Sequence, residues 1–293
     1  ITGGAGFVGS NLIEYFVNKT KLKIISLDNY SSGTVKNHIK SSRVKYIKSN
    51  TKKIEIVLNK YKKKINALFH FGEFARIYQS FLKFNDCFES NSIGSNAVFK
   101  FCLENKIKLI YSATSATLGN GGEDRNLSPY ALSKSRNLEL LENLKKWFKF
   151  KYEVVYFYNV YGPRQICKGD MATVVGIFED HYLRNKKLPV VKPGTQTRRF
   201  THIEDTIKIC FESWKLNKNR HYSIASKNSY SIIQLAKMFK SKTIYLPKRG
   251  GERYASALNS MNLNNKIHKR FGQTSLKVYV KEFLEKHHFT RKN

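Results

Sequence analysis

Three observations on this sequence predict an α/β fold: a doubly wound parallel sheet followed by a smaller C-terminal α/β lobe. The chain opens with Gly3, Gly6 and Gly9, spaced three apart, between an apolar strand end and an apolar helical pattern. Short apolar runs then alternate with helical segments through the first half, the pattern of βαβ units. Beyond Gly162 that alternation loses its regularity, which marks the second lobe.

The elements follow in order. After the opening strand end, helical periodicity runs over 8–19, and Ile24-Ile25-Ser26-Leu27-Asp28 supplies a strand at 23–28. Further strands are expected at 44–48, 67–71, 108–112 and 154–158, with helices at 91–105 and 130–149. The second half should carry helices near 173–184, 205–215, 231–239 and 275–288. Residues 1–162 are therefore expected to form the first domain, and 163–293 mainly the second lobe, with parts folding back on the first. At 293 residues the chain is long enough for both. It starts inside its first strand without Met, so some preceding residues are expected to be missing. No internal repeat or low-complexity linker interrupts it.

Composition narrows the class. No run approaches the roughly 18 apolar residues of a membrane span, and Lys punctuates the chain throughout, so no membrane insertion is expected. The four Cys are far apart without metal spacing, which points to reduced thiols, a cytoplasmic protein and no bound metal. The formal charge of +32 raises nucleic-acid binding as a possibility. Yet only 13 of 53 basic residues are Arg, and the densest stretch, 36–64, spreads eleven Lys and Arg over helices and loops. A solvated surface fits this better than a sequence-specific nucleic-acid partner.

Two motifs carry chemistry. In Gly3-Gly4-Ala5-Gly6-Phe7-Val8-Gly9 the first Gly permits a tight turn and the second lets backbone approach a pyrophosphate. The third lets strand and helix pack closely, and the helix start presents free amides. Asp28 ends the next strand 22 residues after Gly6, where a carboxylate meets adenosine ribose hydroxyls and repels a 2′-phosphate. A Rossmann-type domain binding NAD rather than NADP follows. The second motif is Tyr130-Ala131-Leu132-Ser133-Lys134, whose Tyr and Lys share one helix face. An ammonium there favours phenolate, so a group with pKa near 10 can act as a base nearer neutrality.

With these motifs, Leu27-Asp28-Asn29, Tyr111-Ser112-Ala113-Thr114, the run from Tyr158 to Arg164, the run from Pro193 to Asp205 and Gly251-Glu252-Arg253 complete an ordered series. The series resembles the extended short-chain dehydrogenase/reductase family, in its NAD-dependent nucleotide-sugar epimerase/dehydratase branch, along nearly the whole chain. The resemblance implies Thr114, Tyr130 and Lys134 as the catalytic group: Thr114 holds the substrate oxygen and Tyr130 moves its proton. Lys134 should also reach the nicotinamide ribose. It implies Gly3, Gly6, Phe7, Val8, Gly9, Asp28, Asn29, Tyr130 and Lys134 as the NAD site. Asn159, Arg198 and Arg253 fall where the family contacts the nucleotide diphosphate or lies near it. Lys168, in Cys167-Lys168-Gly169-Asp170, is similar to a pocket Lys of ADP-heptose 6-epimerases.

Departures qualify the substrate. Family 4,6-dehydratases carry Asp-Glu after this Thr, whereas here Ser115-Ala116 follow, so elimination of water is disfavoured and epimerisation remains. Leu118, Asn50 and Arg199 replace the family's usual Tyr, Asp and Asp, and Tyr130 follows Thr114 by only 16 positions. The expectation is a UDP-hexose 4-epimerase, homodimeric and cytoplasmic, serving polysaccharide biosynthesis. An ADP-heptose-type 6-epimerase, an NAD-linked reductase and a non-catalytic Rossmann protein stand behind it.

Overall fold

The computed structural model describes residues 1–216, 218, 220–223, 225–226, 228–251 and 274–287. Thr2 forms parallel bridges to both Leu27 and His70, so the opening of the chain lies at the middle of the sheet. On one side are β1 (Ile24–Asp28) and β2 (Val44–Lys48). On the other are β3 (Ala67–His70), β4 (Lys108–Thr114), β5 (Tyr152–Phe157) and an outer strand, His221–Ser223, all parallel. The chain thus winds outward in both directions from its first residues, and the carboxyl ends of the strands converge where the order reverses.

The two faces of this sheet are packed by different helices, and the period of 2 decides which residue goes where. Along β4, Leu109 and Tyr111 enter a cluster with Val98, Phe99 and Leu141. These last belong to α5 (Ser95–Glu104) and α6 (Pro129–Phe148). Ile110 between them enters the opposite cluster with Leu12, Phe16 and Ile207. These come from α1 (Phe7–Lys19) and the helix Ile203–Leu216. That helix and His221–Ser223 lie beyond residue 162 in sequence but pack on the first sheet. A third cluster, around Tyr161, Phe178, Val190, Phe200 and Phe239, underlies the remaining C-terminal elements.

Periodicity failed where elements are short or irregular. The helix read as 91–105 is Ser95–Glu104, preceded by Phe84–Phe88 and a π-helical turn, Glu89–Gly94. The wider turn carries Asn91, which is fully buried: its Oδ1 accepts from Phe74 N at 2.7 Å and its Nδ2 donates to Phe74 O at 3.0 Å. A π-turn inserted in a helix commonly marks a functional site, and this one grips the segment leaving β3. Ile77–Leu82, only six residues long, is too short to show a 3.6 period and was not expected. Among the described residues no helix is long and apolar enough to cross a membrane, and no cluster of His, Cys, Asp and Glu could hold a metal.

His70 closes β3 in full burial. Thr2 Oγ1 lies 2.7 Å from its Nδ1 and Ser95 Oγ lies 3.0 Å from its Nε2. Ser95 Oγ donates onward to Glu73 Oε1 at 2.8 Å, so Ser95 accepts from the ring and Nε2 carries the hydrogen. Burial pulls the His70 pKa down to about 4, with the nearby Lys134 charge adding to the fall and Glu73 opposing it. A neutral buried His binds fewer protons folded than unfolded. Its stabilisation is complete above the unfolded pKa of about 6.5 and is lost as pH falls through 4. Urea unfolding should therefore show up to about 3 kcal/mol of stability lost between pH 7 and pH 4 from this residue. His70→Gln should shrink that slope, and an unchanged slope would exclude His70 as its source.

Candidate active site

A cavity of about 420 Å³ opens at the carboxyl ends of the strands, between the first sheet and the C-terminal elements. Its floor is the opening turn. Gly3 takes φ +68° and donates its N–H to Leu27 O at 2.8 Å, while Gly6 caps the start of α1. A Cβ on Gly9 would stand 2.1 Å from Gly3 O, so no side chain fits there. Phe7 and Val8, in the first turn of α1, line the cavity. Asp28, buried at the end of β1, accepts from Ala5 N at 2.9 Å and from Tyr30 N at 2.8 Å. It borders a small recess with Asn29, Asn50 and Ser90. The Asn29 side chain itself is exposed and accepts from Ser31 N. A glycine cradle that a single methyl would fill, beside an oriented acceptor carboxylate, fits a dinucleotide such as NAD.

Thr114, Tyr130 and Lys134 all line this cavity. Ser128 caps α6 by accepting from Ala131 N at 3.1 Å, and Pro129 starts the helix, so Tyr130 sits in its first turn. The Tyr130 N–H donates to Ser80 Oγ at 3.2 Å, which ties that turn to the helix Ile77–Leu82. Thr114 ends β4, and its Oγ1 accepts from Ala116 N at 3.1 Å. That bond orients the hydroxyl with its hydrogen available to a ligand oxygen. Lys134 follows one helical turn after Tyr130 and is 3% exposed.

Sequence reasoning missed the partner of Lys134. Its Nζ donates to Ser112 O at 2.6 Å and to Glu73 Oε2, and it lies 4.7 Å from the centre of the Tyr111 ring. Glu73 also accepts from Ser95, from Tyr111 Oη at 3.1 Å and from Asn137 Nδ2 at 3.3 Å. Burial drives the Lys134 pKa below the ordinary lysine range, and Glu73 pulls it back up. The pair is net neutral, so much of the charge that Lys134 brings to Tyr130 is offset. The one signal available in sequence was a lone acid three residues after a strand end, in a strongly basic chain.

The remaining candidates divide. Asn159, at φ +37°, lines the cavity and donates to Arg199 O at 2.9 Å. Arg198 is buried in the cavity wall on the strand Thr197–Arg199, and its Nη1 donates to Thr197 O at 2.8 Å. Neighbouring Arg199 turns instead to Ser226 O. Lys168 is brought elsewhere: it is exposed, lies 3.4 Å from Asp180, and is not among the residues lining the cavity. Arg253 lies outside the described residues.

Removing one partner of a buried pair leaves an uncompensated charge. Glu73→Ala should therefore cost about 3–5 kcal/mol in urea unfolding of the cofactor-free protein. Glu73→Gln, which keeps the shape and its acceptor oxygen, should cost less. A loss below about 1 kcal/mol for Glu73→Ala, the range of exposed pairs, would show that the pair is solvated.

A dTDP-D-glucose 4,6-dehydratase of Dictyostelium discoideum is 29% identical over 71% of this chain, although the chain spans only 53% of that relative's length. An ADP-L-glycero-D-manno-heptose-6-epimerase of Brachyspira hyodysenteriae is 27% identical over 82% of the chain and 79% of its own length. A UDP-glucose 4-epimerase of Thermotoga maritima, solved with UDP-glucose, superimposes with a TM-score of 0.87 at 24% identity, over 99% of this chain and 98% of that one. The model of the NAD-dependent epimerase/dehydratase family matches residues 1–225. The chain belongs to that family, an enzyme family that uses NAD.

Proposed function

We propose that the protein is a nucleotide-sugar epimerase, specifically a UDP-hexose 4-epimerase acting through a transient keto-sugar with NAD held tightly. The observation that carries this reading is the composition of the cavity wall. Thr114, Tyr130 and Lys134 share it, and among the described residues lining the cavity the one carboxylate is Glu73, engaged with Lys134. Elimination of water needs an acid or base aimed at the leaving group. Ser115 and Ala116 follow Thr114 instead, so proton transfer at a single oxygen is the chemistry left to this wall.

NAD, when bound, supplies the nicotinamide that takes a hydrogen from the sugar carbon and gives it back. The chain's own residues do the rest. Thr114 donates to the sugar oxygen and fixes its place. Tyr130 removes the proton of that hydroxyl as the carbon is oxidised, and returns it on reduction from the opposite face. Lys134 is held by Ser112 O and Glu73 one turn below Tyr130, so its ammonium cannot swing away as the phenol changes charge.

The exposed position of Lys168 supports the 4-epimerase over the ADP-heptose-type 6-epimerase, which calls for a second acid-base group facing the substrate. An NAD-linked reductase would release reduced cofactor, and a non-catalytic binder has no use for Thr114, Tyr130 and Lys134 together. We further propose a cytoplasmic homodimer serving polysaccharide biosynthesis. A dimer is supported by the exposed apolar side chains Phe81, Leu82, Phe84 and Phe88 on the helices Ile77–Leu82 and Phe84–Phe88, the kind of surface that association covers.

The test is a panel of UDP-, ADP- and dTDP-linked sugars with carbon stereochemistry read by NMR. UDP-hexoses inverted at C4 are expected; turnover confined to an ADP-linked heptose would move the assignment to the 6-epimerase. Tyr130→Phe should cost at least roughly 10²-fold in kcat while NAD stays bound. Lys168→Met should cost less than about tenfold, or roughly 1.4 kcal/mol.

A further inference from the structure

Arg76 follows the exit of β3, directly before the helix Ile77–Leu82, and lines the same cavity as Thr114 and Tyr130. Its guanidinium meets only neutral acceptors: Nη1 donates to Ala75 O at 2.7 Å and Nη2 donates to Met171 O. Its Nε is buried and has no hydrogen-bond partner. Among the described residues no carboxylate pairs with it, and Glu73, the carboxylate in this wall, is taken by Lys134. Burial lowers its pKa, and Tyr130 is close enough to act on its charge in the opposite sense.

Arg76 is half-buried with its Nε out of water, and a guanidinium held so without a described counter-charge is suited to a ligand that supplies the anion. The diphosphate of a nucleotide sugar is the first anion to weigh. It has a cation elsewhere: Arg198 lies beside Asn159, which bonds the same strand. Arg76 instead shares the cavity wall with Thr114 and Tyr130, the residues proposed to act on the sugar. In a hexuronic acid the carboxylate is borne on C5, next to the reacting C4, and its two oxygens match the fork of a guanidinium.

We propose that Arg76 forms an anion subsite for a sugar carboxylate, so that the preferred substrate is a nucleotide-linked hexuronic acid rather than a neutral hexose. This rests on the epimerase reading of the same cavity. With the sugar bound, the carboxylate takes the free N–H groups of Arg76, while Met171 O holds the guanidinium from the C-terminal side. The ion pair then orients C4 toward Tyr130 and supplies the counter-charge that no described carboxylate gives Arg76.

The experiment measures kcat/KM and binding of UDP-glucuronate and UDP-glucose on the NAD-loaded protein, wild type against Arg76→Gln and Arg76→Lys. The wild type should prefer the uronate, and Arg76→Gln should lower the uronate-to-neutral ratio by about 30-fold or more, in KM more than in kcat. Arg76→Lys should recover part of the ratio, which a role only in clipping Met171 would not produce. If the wild type binds both sugars equally, or if Arg76→Gln leaves the ratio unchanged, the subsite is overturned. Binding decides this even if neither sugar turns over, whereas absence of turnover on any nucleotide sugar counts against the epimerase reading itself.

Discussion

The ion pair between Lys134 and Glu73 is the constraint on which the site depends. It joins α6 to the segment leaving β3, across 61 residues of sequence, and both side chains are almost fully out of water. Replacing such a pair with apolar groups would often stabilise a fold, so stability alone does not explain it. What it provides is position. Lys134 is fixed to Glu73 and to Ser112 O at the end of β4, and Tyr130 one turn earlier is thereby fixed relative to Thr114 on that same strand.

The desolvated pair is compensated by a polar network that reaches the first strand. Thr2 donates to His70, His70 to Ser95 and Ser95 to Glu73, while Tyr111 and Asn137 donate to Glu73 directly. Asn137 also bonds Asn91 O at 2.6 Å, and Asn91 sits in the π-turn that grips Phe74. A fully satisfied network of this kind is rigid, because losing any member leaves a buried polar group exposed to an apolar surrounding. The glycine turn and the cavity wall that carries Tyr130 therefore share one set of bonds: Thr2 precedes Gly3 of that turn, and Glu73 holds Lys134.

What could be read from sequence was whatever is local. The glycine spacing, Asp28 at the end of β1 and the i, i+4 relation of Tyr130 and Lys134 each lie within one turn or one βα unit, so their geometry follows from backbone rules. The strands were legible as short apolar runs, since β4 and β5 are buried on both faces. Glu73 and Arg76 were not legible, because their partners, Lys134, Tyr111 and Met171, are distant in sequence and no periodicity marks the segment between β3 and Ile77. Lys168 shows the converse. Its motif placed it near a pocket, but the chain turns its side chain outward toward Asp180.

In the proposed reaction one wall removes and returns a proton at a single oxygen while the carbon's hydrogen leaves and comes back within the same bound complex. A UDP-hexose labelled with deuterium at C4, incubated with the protein in ordinary water, tests it most directly. The inverted sugar is expected to retain its deuterium at C4, with no free reduced cofactor formed. Epimer that has lost the label to solvent, or stoichiometric release of reduced cofactor, would contradict it.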